Sequence, residues 1–147
     1  MFELSDNGEK RDSFFISGTY RGLGSVMKFY KKNAALRWHA QLDTMTRVDA
    51  IATREPSDSG LFFGCGQNNY NDRAVSVRER PADSEAWFFS MTTNGEVIWM
   101  LKLAGNQPDY NRLANSCKGM LYDVKTEKIV TVIESDSPQY RVERGSK

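Results

Sequence analysis

Apolar and polar residues alternate along most of this chain with a period of two. The segment 36–42 (LRWHAQL) places apolar residues at every second position, and the segment 97–103 (VIWMLKL) has apolar residues at the corresponding places. This period is typical of β-strands, and no segment has a clear helical stripe. The pattern predicts strands at 14–20, 25–31, 36–42, 47–53, 61–66, 86–92, 96–103, 113–117, 128–133 and 140–143.

Turn-forming residues separate several of these segments. Asn94-Gly95 predicts a tight hairpin between two strands, because both residue types accept a positive φ. Lys32–Ala35 occupies the same place earlier in the chain with weaker turn chemistry. The glycine-rich segment Gly18–Gly24 predicts a hairpin loop. A phosphate-binding loop would need the N-terminus of a helix directly after it, and the pattern predicts a strand there.

The predicted strands recur as a repeated unit. Segment 14–18 is similar to 62–66, segment 26–30 to 87–91, and segment 36–42 to 97–103. Segment 128–133 begins a third copy, for which 140–143 is the expected next strand. The division is therefore one domain of three approximate units, 1–46, 47–109 and an incomplete 110–147. The second unit carries an insertion between segments 62–66 and 87–91, and insertions in repeat proteins frequently form the binding face.

The second unit resembles the blade of SBBP and quinoprotein-like β-propeller repeats. The matching residues are Asp58-Ser59-Gly60, Leu61–Gly66, Ala86–Phe89, Asn94-Gly95 and Val97–Trp99. The resemblance implies an all-β fold of propeller-like, antiparallel four-stranded units, with about two and a half blades, and it brings no functional residues. A β-sandwich or an irregular barrel is the alternative. With fewer blades than a closed propeller needs, residues 1–147 are expected to form either one all-β repeat domain or a segment of a larger propeller. Stacked units bury their faces against neighbours, so the terminal units would expose apolar faces and favour self-association or a protein partner.

Composition and charge narrow the possible functions. The 20 basic and 19 acidic residues give a net charge of +1, so no general attraction to nucleic acid is expected. No apolar run approaches the ~18 residues of a membrane span. One histidine (His39, predicted on an exposed or edge strand position) and two separated cysteines make a zinc site improbable, and no metal site is predicted. Cys65 and Cys117 are expected to be free buried thiols, with a disulfide as the alternative. No GxSxG nucleophile motif is present, and no catalytic residue or cofactor is predicted.

Loop residues are the predicted binding sites. Tyrosines and arginines in loops are enriched where proteins contact partners, and asparagine and aspartate can bond to sugar hydroxyls. The sequence thus predicts a non-catalytic binding or assembly module. The alternatives are a domain that binds a small ligand or carbohydrate and, from the resemblance alone, a fragment of a quinoprotein-like enzyme. The candidate residues are Tyr20, Tyr70, Asn71, Asp72, Arg73, Arg78, Arg80 and Tyr110.

Overall fold

A computed structural model describes residues 13–53, 60–69, 84–105, 115–135 and 140–144. The described residues form strands and turns and no helix, which confirms the all-β prediction and leaves this part of the chain without a helix that could cross a membrane. The strands are β1 (Ser13–Tyr20), β2 (Leu23–Tyr30), β3 (Leu36–Leu42), β4 (Arg47–Thr53), β5 (Leu61–Asn69), β6 (Ser84–Thr92), β7 (Val97–Gly105), β8 (Asn115–Asp123), β9 (Lys128–Ser135) and β10 (Tyr140–Arg144).

The described strands are arranged in three antiparallel sheets. The first sheet has the order β1-β2-β3, the central sheet has the order β10-β7-β6-β5-β4, and the third sheet is the hairpin β8-β9. Strand β4, at one edge of the central sheet, lies close to β1 and β2 of the first sheet and to β8 of the third. The central sheet is therefore covered on both faces, which explains why its strands are apolar at consecutive positions.

The main core lies between the first and central sheets. The ring of Phe15 in β1 packs against Phe62 in β5, with 5.1 Å between the ring centroids, and both side chains are fully buried. Close packing of this kind is the main favourable term in folding. The buried residues of this core are Phe15, Val26, Leu42, Met45, Val48, Ile51, Phe62, Trp87, Phe89, Met91 and Met100.

A second, smaller core joins the central and third sheets. Its buried residues are Ala50, Cys65 and Cys117, and Phe88 and Met120 pack against them. Cys65 and Cys117 form a disulfide with their Cα atoms 6.0 Å apart, so the expectation of free thiols is wrong. The physical reason is that β8 packs against β5, which brings together two side chains that are 52 positions apart in sequence.

The first and central sheets share one hydrogen-bonding register. Phe15 pairs with Lys28, which pairs with Trp38; in the central sheet Phe63 pairs with Ser90, which pairs with Trp99. In each sheet the tryptophan also contacts the phenylalanine, with centroids 5.7 and 6.2 Å apart.

This register corrects one detail of the sequence comparison. Lys28 corresponds to Ser90, so the middle strands match one residue later than the similarity between 26–30 and 87–91 predicts. A one-residue shift moves side chains to the opposite face of a sheet. The corrected match places Val26 and Phe88 at equivalent positions, and each of them packs toward the following sheet.

The hairpin β8–β9 repeats the register of β4–β5. A β-bulge interrupts β4 between Val48 and Ala50, opposite Gly66 and Cys65 of β5. A second bulge interrupts β8 between Cys117 and Gly119, opposite Ile133 and Val132 of β9. Strand β8 begins and ends later than the predicted segment 113–117, and its turn occupies residues 124–127. The third copy of the unit is therefore recognisable from its backbone, although its side chains have diverged.

Strand β10 has a different partner from the one that the sequence predicts. The segment 140–143 is expected to continue the third unit, but β10 pairs with β7 at the outer edge of the central sheet. The open edge of β7 offers unpaired backbone groups, which an additional antiparallel strand satisfies. The third sheet consequently has only two strands in the described part of the chain.

Two turns fit the predicted chemistry. Arg21-Gly22 connects β1 and β2 with φ values of 52° and 76°, which confirms the hairpin predicted for Gly18–Gly24. Gly95, between β6 and β7, has φ 96° and lies under Trp38, whose ring carbons would be 3.2 Å from an added Cβ. Gly95 is therefore required both for the turn and for the close approach of the first sheet.

Candidate binding surface

One of the eight predicted site residues lies in a described strand. Tyr20 lies at the end of β1, within the described part of the chain. Seven candidates lie outside the described residues, namely Tyr70, Asn71, Asp72, Arg73, Arg78, Arg80 and Tyr110. Their roles, and the carbohydrate-binding alternative that depends on them, stay predictions.

Tyr20 belongs to a small aromatic and basic group at the edge of the first sheet. Tyr20 is 40% exposed, and its ring meets the ring of His39 edge-on, with 5.0 Å between centroids. The guanidinium carbon of Arg21 lies 5.3 Å from the tyrosine centroid, in cation–π range. His39 lies on the edge strand β3, as expected, but its side chain is half-buried and its Nε2 atom is buried without a hydrogen-bond partner.

The described residues do not form a metal centre. Among residues 13–53, 60–69, 84–105, 115–135 and 140–144, no three histidine, cysteine, aspartate or glutamate side chains are close enough together to hold an ion. Both cysteines are in the disulfide and therefore are not available as thiolate ligands.

An exposed apolar surface covers the outer side of the third sheet. Alternate residues of β9 point away from the central sheet, and Leu121 of β8 is paired with Val130. The exposed fractions are 54% for Leu121, 48% for Val130 and 62% for Val132. We call these three residues the hairpin face. The alternation in 128–133 predicts a strand but does not indicate which side of that strand is covered, so the sequence alone does not identify these three residues.

Charged residues border the hairpin face. The Lys118 ammonium, from the bulge of β8, lies 2.6 Å from the Glu134 carboxylate. This hydrogen bond and ion pair lower the pKa of Glu134 below its usual value. The hydroxyl of Thr126 donates to the carboxylate of Asp123 in the β8–β9 turn and lowers the pKa of Asp123. An apolar centre with a charged border is the usual anatomy of a protein–protein interface.

The first sheet has an apolar outer side of its own. Because Phe15 points into the main core, its neighbours Phe14 and Ile16 point outward. Phe14 stacks on Phe29 of β2 with 5.4 Å between centroids, and Ile16 pairs with Met27 and is 40% exposed. We call Phe14, Ile16, Met27 and Phe29 the meander face. It lies at the opposite end of the three-sheet stack from the hairpin face.

The shared register shows which residues of the central sheet are equivalent to the hairpin face. Ile133 stands opposite Cys117 as Gly66 stands opposite Val48, so Val130 and Val132 are equivalent to Phe63 and Cys65. Phe63 stacks on Tyr122 of the third sheet, with 5.7 Å between centroids, and Cys65 is fully buried against the same sheet. The hairpin face thus has the position of a surface that is covered one unit earlier in the chain.

No protein-family model matches the sequence, and no curated protein is significantly similar to it.

Proposed function

We propose that this chain is a non-catalytic β-repeat module, propeller-like in its stacking, that associates with protein through its hairpin face. The observation that carries the proposal is the contrast between equivalent positions. Cys65 is 0% exposed beneath the third sheet, whereas Val132, at the same place in the next unit, is 62% exposed. Large exposed apolar patches on otherwise well-packed proteins frequently mark interaction sites.

The energetics support association at this surface. Fully burying one aliphatic side chain contributes about 1.5–3 kcal/mol, so covering the three half-exposed residues of the hairpin face would contribute roughly 2–5 kcal/mol. The ion pair between Lys118 and Glu134 at the border can remain solvated, so covering the centre does not require burial of these charges. The alternation of β9 holds the apolar side chains on one face without distorting the hairpin.

The interpretation as a propeller-like fold is supported by the way the sheets pack one after another with the same strand register. The first sheet packs on the central sheet and the central sheet on the third, through equivalent faces. Propellers close with about 4–8 blades, so three sheets leave two terminal faces to be covered. A binding module with apolar terminal faces follows from this arrangement, whereas an isolated three-sheet stack would leave both faces in water.

Site-specific photo-crosslinking tests the proposal. A benzophenone amino acid is placed at Val132 in one variant and at Lys125, in the exposed β8–β9 turn, in a matched control. Both variants are irradiated in the cells that produce the protein, and adducts are identified by mass spectrometry. We expect one discrete protein adduct from position 132 and none from position 125. Absence of an adduct at 132, or the same adducts at both positions, would contradict the proposal.

A further inference from the structure

We propose that the hairpin face binds the meander face of a second copy of the chain, and that two copies close into a ring of six sheets. This inference rests on the proposed function, to which it adds the identity of the partner and the matching surface. It follows from the direction in which the three sheets pack within one chain.

Each interior interface of the stack uses the same two sets of positions. The first sheet presents Phe15 to the central sheet, which receives it with Phe62. The central sheet presents Phe63 and Cys65, from the opposite face of β5, to the third sheet. Every sheet therefore has a presenting face and a receiving face, and the stack has one direction.

The hairpin face and the meander face are the presenting face and the receiving face that the interfaces within one chain leave unused. Val130 and Val132 stand at the presenting positions of the third sheet, equivalent to Phe63 and Cys65. Phe14 stands at the receiving position of the first sheet, because it precedes Phe15 as Phe62 precedes Phe63. An uncovered presenting face and an uncovered receiving face at opposite ends of one chain are complementary in a head-to-tail arrangement.

The chemistry of the two faces is compatible with this contact. The stacked pair Phe14–Phe29 offers a broad aromatic surface, and valine and leucine on the hairpin face have no polar atoms that would lose hydrogen bonds on burial. By analogy with the Phe15–Phe62 contact, we expect Val130 of one copy to lie against Phe14 of the other.

The number of sheets favours two copies. A head-to-tail contact forms an open filament unless its rotation closes a ring. Two copies supply six sheets, within the range of about 4–8 at which propellers close, whereas three copies supply nine. Closure by two copies uses each terminal face once and leaves neither exposed.

A complementation experiment with two single variants tests the proposal on the purified protein. Val132→Glu blocks only the hairpin face, and Ile16→Glu blocks only the meander face. Val124→Glu is the matched control, because Val124 is 52% exposed in the β8–β9 turn and belongs to neither face. Circular dichroism and thermal unfolding check that each variant folds. Val132→Thr and Ile16→Thr, which keep β-branched side chains, replace any glutamate variant that does not.

Sedimentation velocity measures the outcome. We expect the wild type and Val124→Glu to be dimers. Each blocked variant alone should associate at least roughly 100-fold more weakly, because an unpaired charge would have to be buried. An equimolar mixture of Val132→Glu and Ile16→Glu should form a one-to-one complex, since each variant still has the face that the other has lost.

Several results would overturn the inference. The first is a wild type that is monomeric at all concentrations. The second is an Ile16→Glu variant that dimerises as tightly as the wild type, which would indicate contact between two hairpin faces. The third is a mixture of the two folded variants that does not associate. The crosslinking experiment separates this failure from failure of the proposed function. If position 132 crosslinks to a different protein while the pure chain is monomeric, the binding module stands and self-association is wrong.

Discussion

The two interfaces of the stack are held together by different means. Among the described residues, the buried apolar cluster between the first and central sheets has eleven members and is rich in aromatic rings. The buried apolar cluster between the central and third sheets has three members, and two of them are the disulfide-bonded cysteines. In the described part of the chain the third sheet is a two-stranded hairpin, and such hairpins bury too little apolar surface to be stable alone. The covalent link therefore acts where apolar burial is smallest.

The comparison also separates the two faces of β5. Phe62 and Phe63 are neighbours in sequence and point to opposite sides of the central sheet. Phe62 contacts Phe15 and Phe89 in the main core, whereas half-buried Phe63 contacts Trp99 and Tyr122 on the side of the third sheet. Adjacent substitutions can thus probe the two interfaces independently.

The largest effect is expected from Phe62→Ala. Loss of a fully buried aromatic ring, with the cavity that it leaves, should lower the free energy of unfolding by about 3–5 kcal/mol. Phe63→Ala is the control, because the same atoms are removed from a half-buried position, and it should cost clearly less. Urea unfolding of both variants measures the difference. Equal costs would contradict the assignment of the main core to the first interface.

Removal of the disulfide should have the next largest effect. For a link that joins residues 52 positions apart, loop entropy gives about 4 kcal/mol, and measured losses are typically about 2–4 kcal/mol. The free energy of unfolding of the double variant Cys65→Ala/Cys117→Ala should therefore be lower by about 2–4 kcal/mol. Hydrogen exchange should increase first in β8 and β9. A reducing agent should destabilise the wild type and leave the double variant unchanged. An unchanged free energy of unfolding in the double variant would show that apolar packing alone holds the third sheet.

A smaller loss of stability is expected when the hydrogen bond from Trp38 to the β6–β7 turn is removed. The indole Nε1 of Trp38 donates to the carbonyl of Thr93 (3.0 Å), which also accepts from Lys28 Nζ (3.1 Å). Trp38→Phe should cost about 1–2 kcal/mol, since Lys28 still satisfies the carbonyl. Trp99→Phe, at the equivalent register position, is the control in thermal unfolding. If both substitutions have the same effect, the hydrogen bond across the first interface contributes nothing measurable.

Local alternation allowed much of the fold to be predicted. The bounds of β3 and β4 agree with the segments 36–42 and 47–53, because short strands with polar residues on one side have clear limits. The equivalence of Trp38 and Trp99 is likewise confirmed by their register. These features depend on neighbouring residues and on turn chemistry, which a single sequence contains.

Features that depend on long-range contacts were not predictable in the same way. The disulfide requires β8 to pack against β5, and nothing near Cys65 or Cys117 in sequence specifies that contact. The pairing of β10 with β7 depends on which sheet edge is open. The hairpin face was missed for a related reason. Whether a valine in a strand is core or surface is decided by the next layer, and none of the described strands lies over Val132, which is 62% exposed.

The smallest change in stability is expected at Asp49. This residue lies in the bulge of β4, beside the interface between the central and third sheets. Its side chain accepts a hydrogen bond from Arg47, but its Oδ2 atom is buried without a hydrogen-bond partner. Burial raises the pKa of Asp49 above its ordinary value of 3.8, although Arg47 and Lys118 partly offset this effect. The folded protein therefore holds the Asp49 proton more tightly than the unfolded chain does. The protonated carboxyl stabilises the fold at low pH, and this contribution is lost as the pH rises through the raised pKa.

Asp49→Asn should remove this pH dependence and raise the free energy of unfolding at pH 7 by less than about 1 kcal/mol. At about pH 3, where the wild-type carboxyl is protonated in both states, the gain should disappear. Glu134→Gln is the opposite control: Lys118 lowers the pKa of Glu134, so its contribution is present above the ordinary pKa and is lost as the pH falls. Thermal unfolding between pH 3 and 8 compares the variants. A destabilised Asp49→Asn protein at neutral pH would mean that the carboxylate stabilises the bulge more than its burial costs.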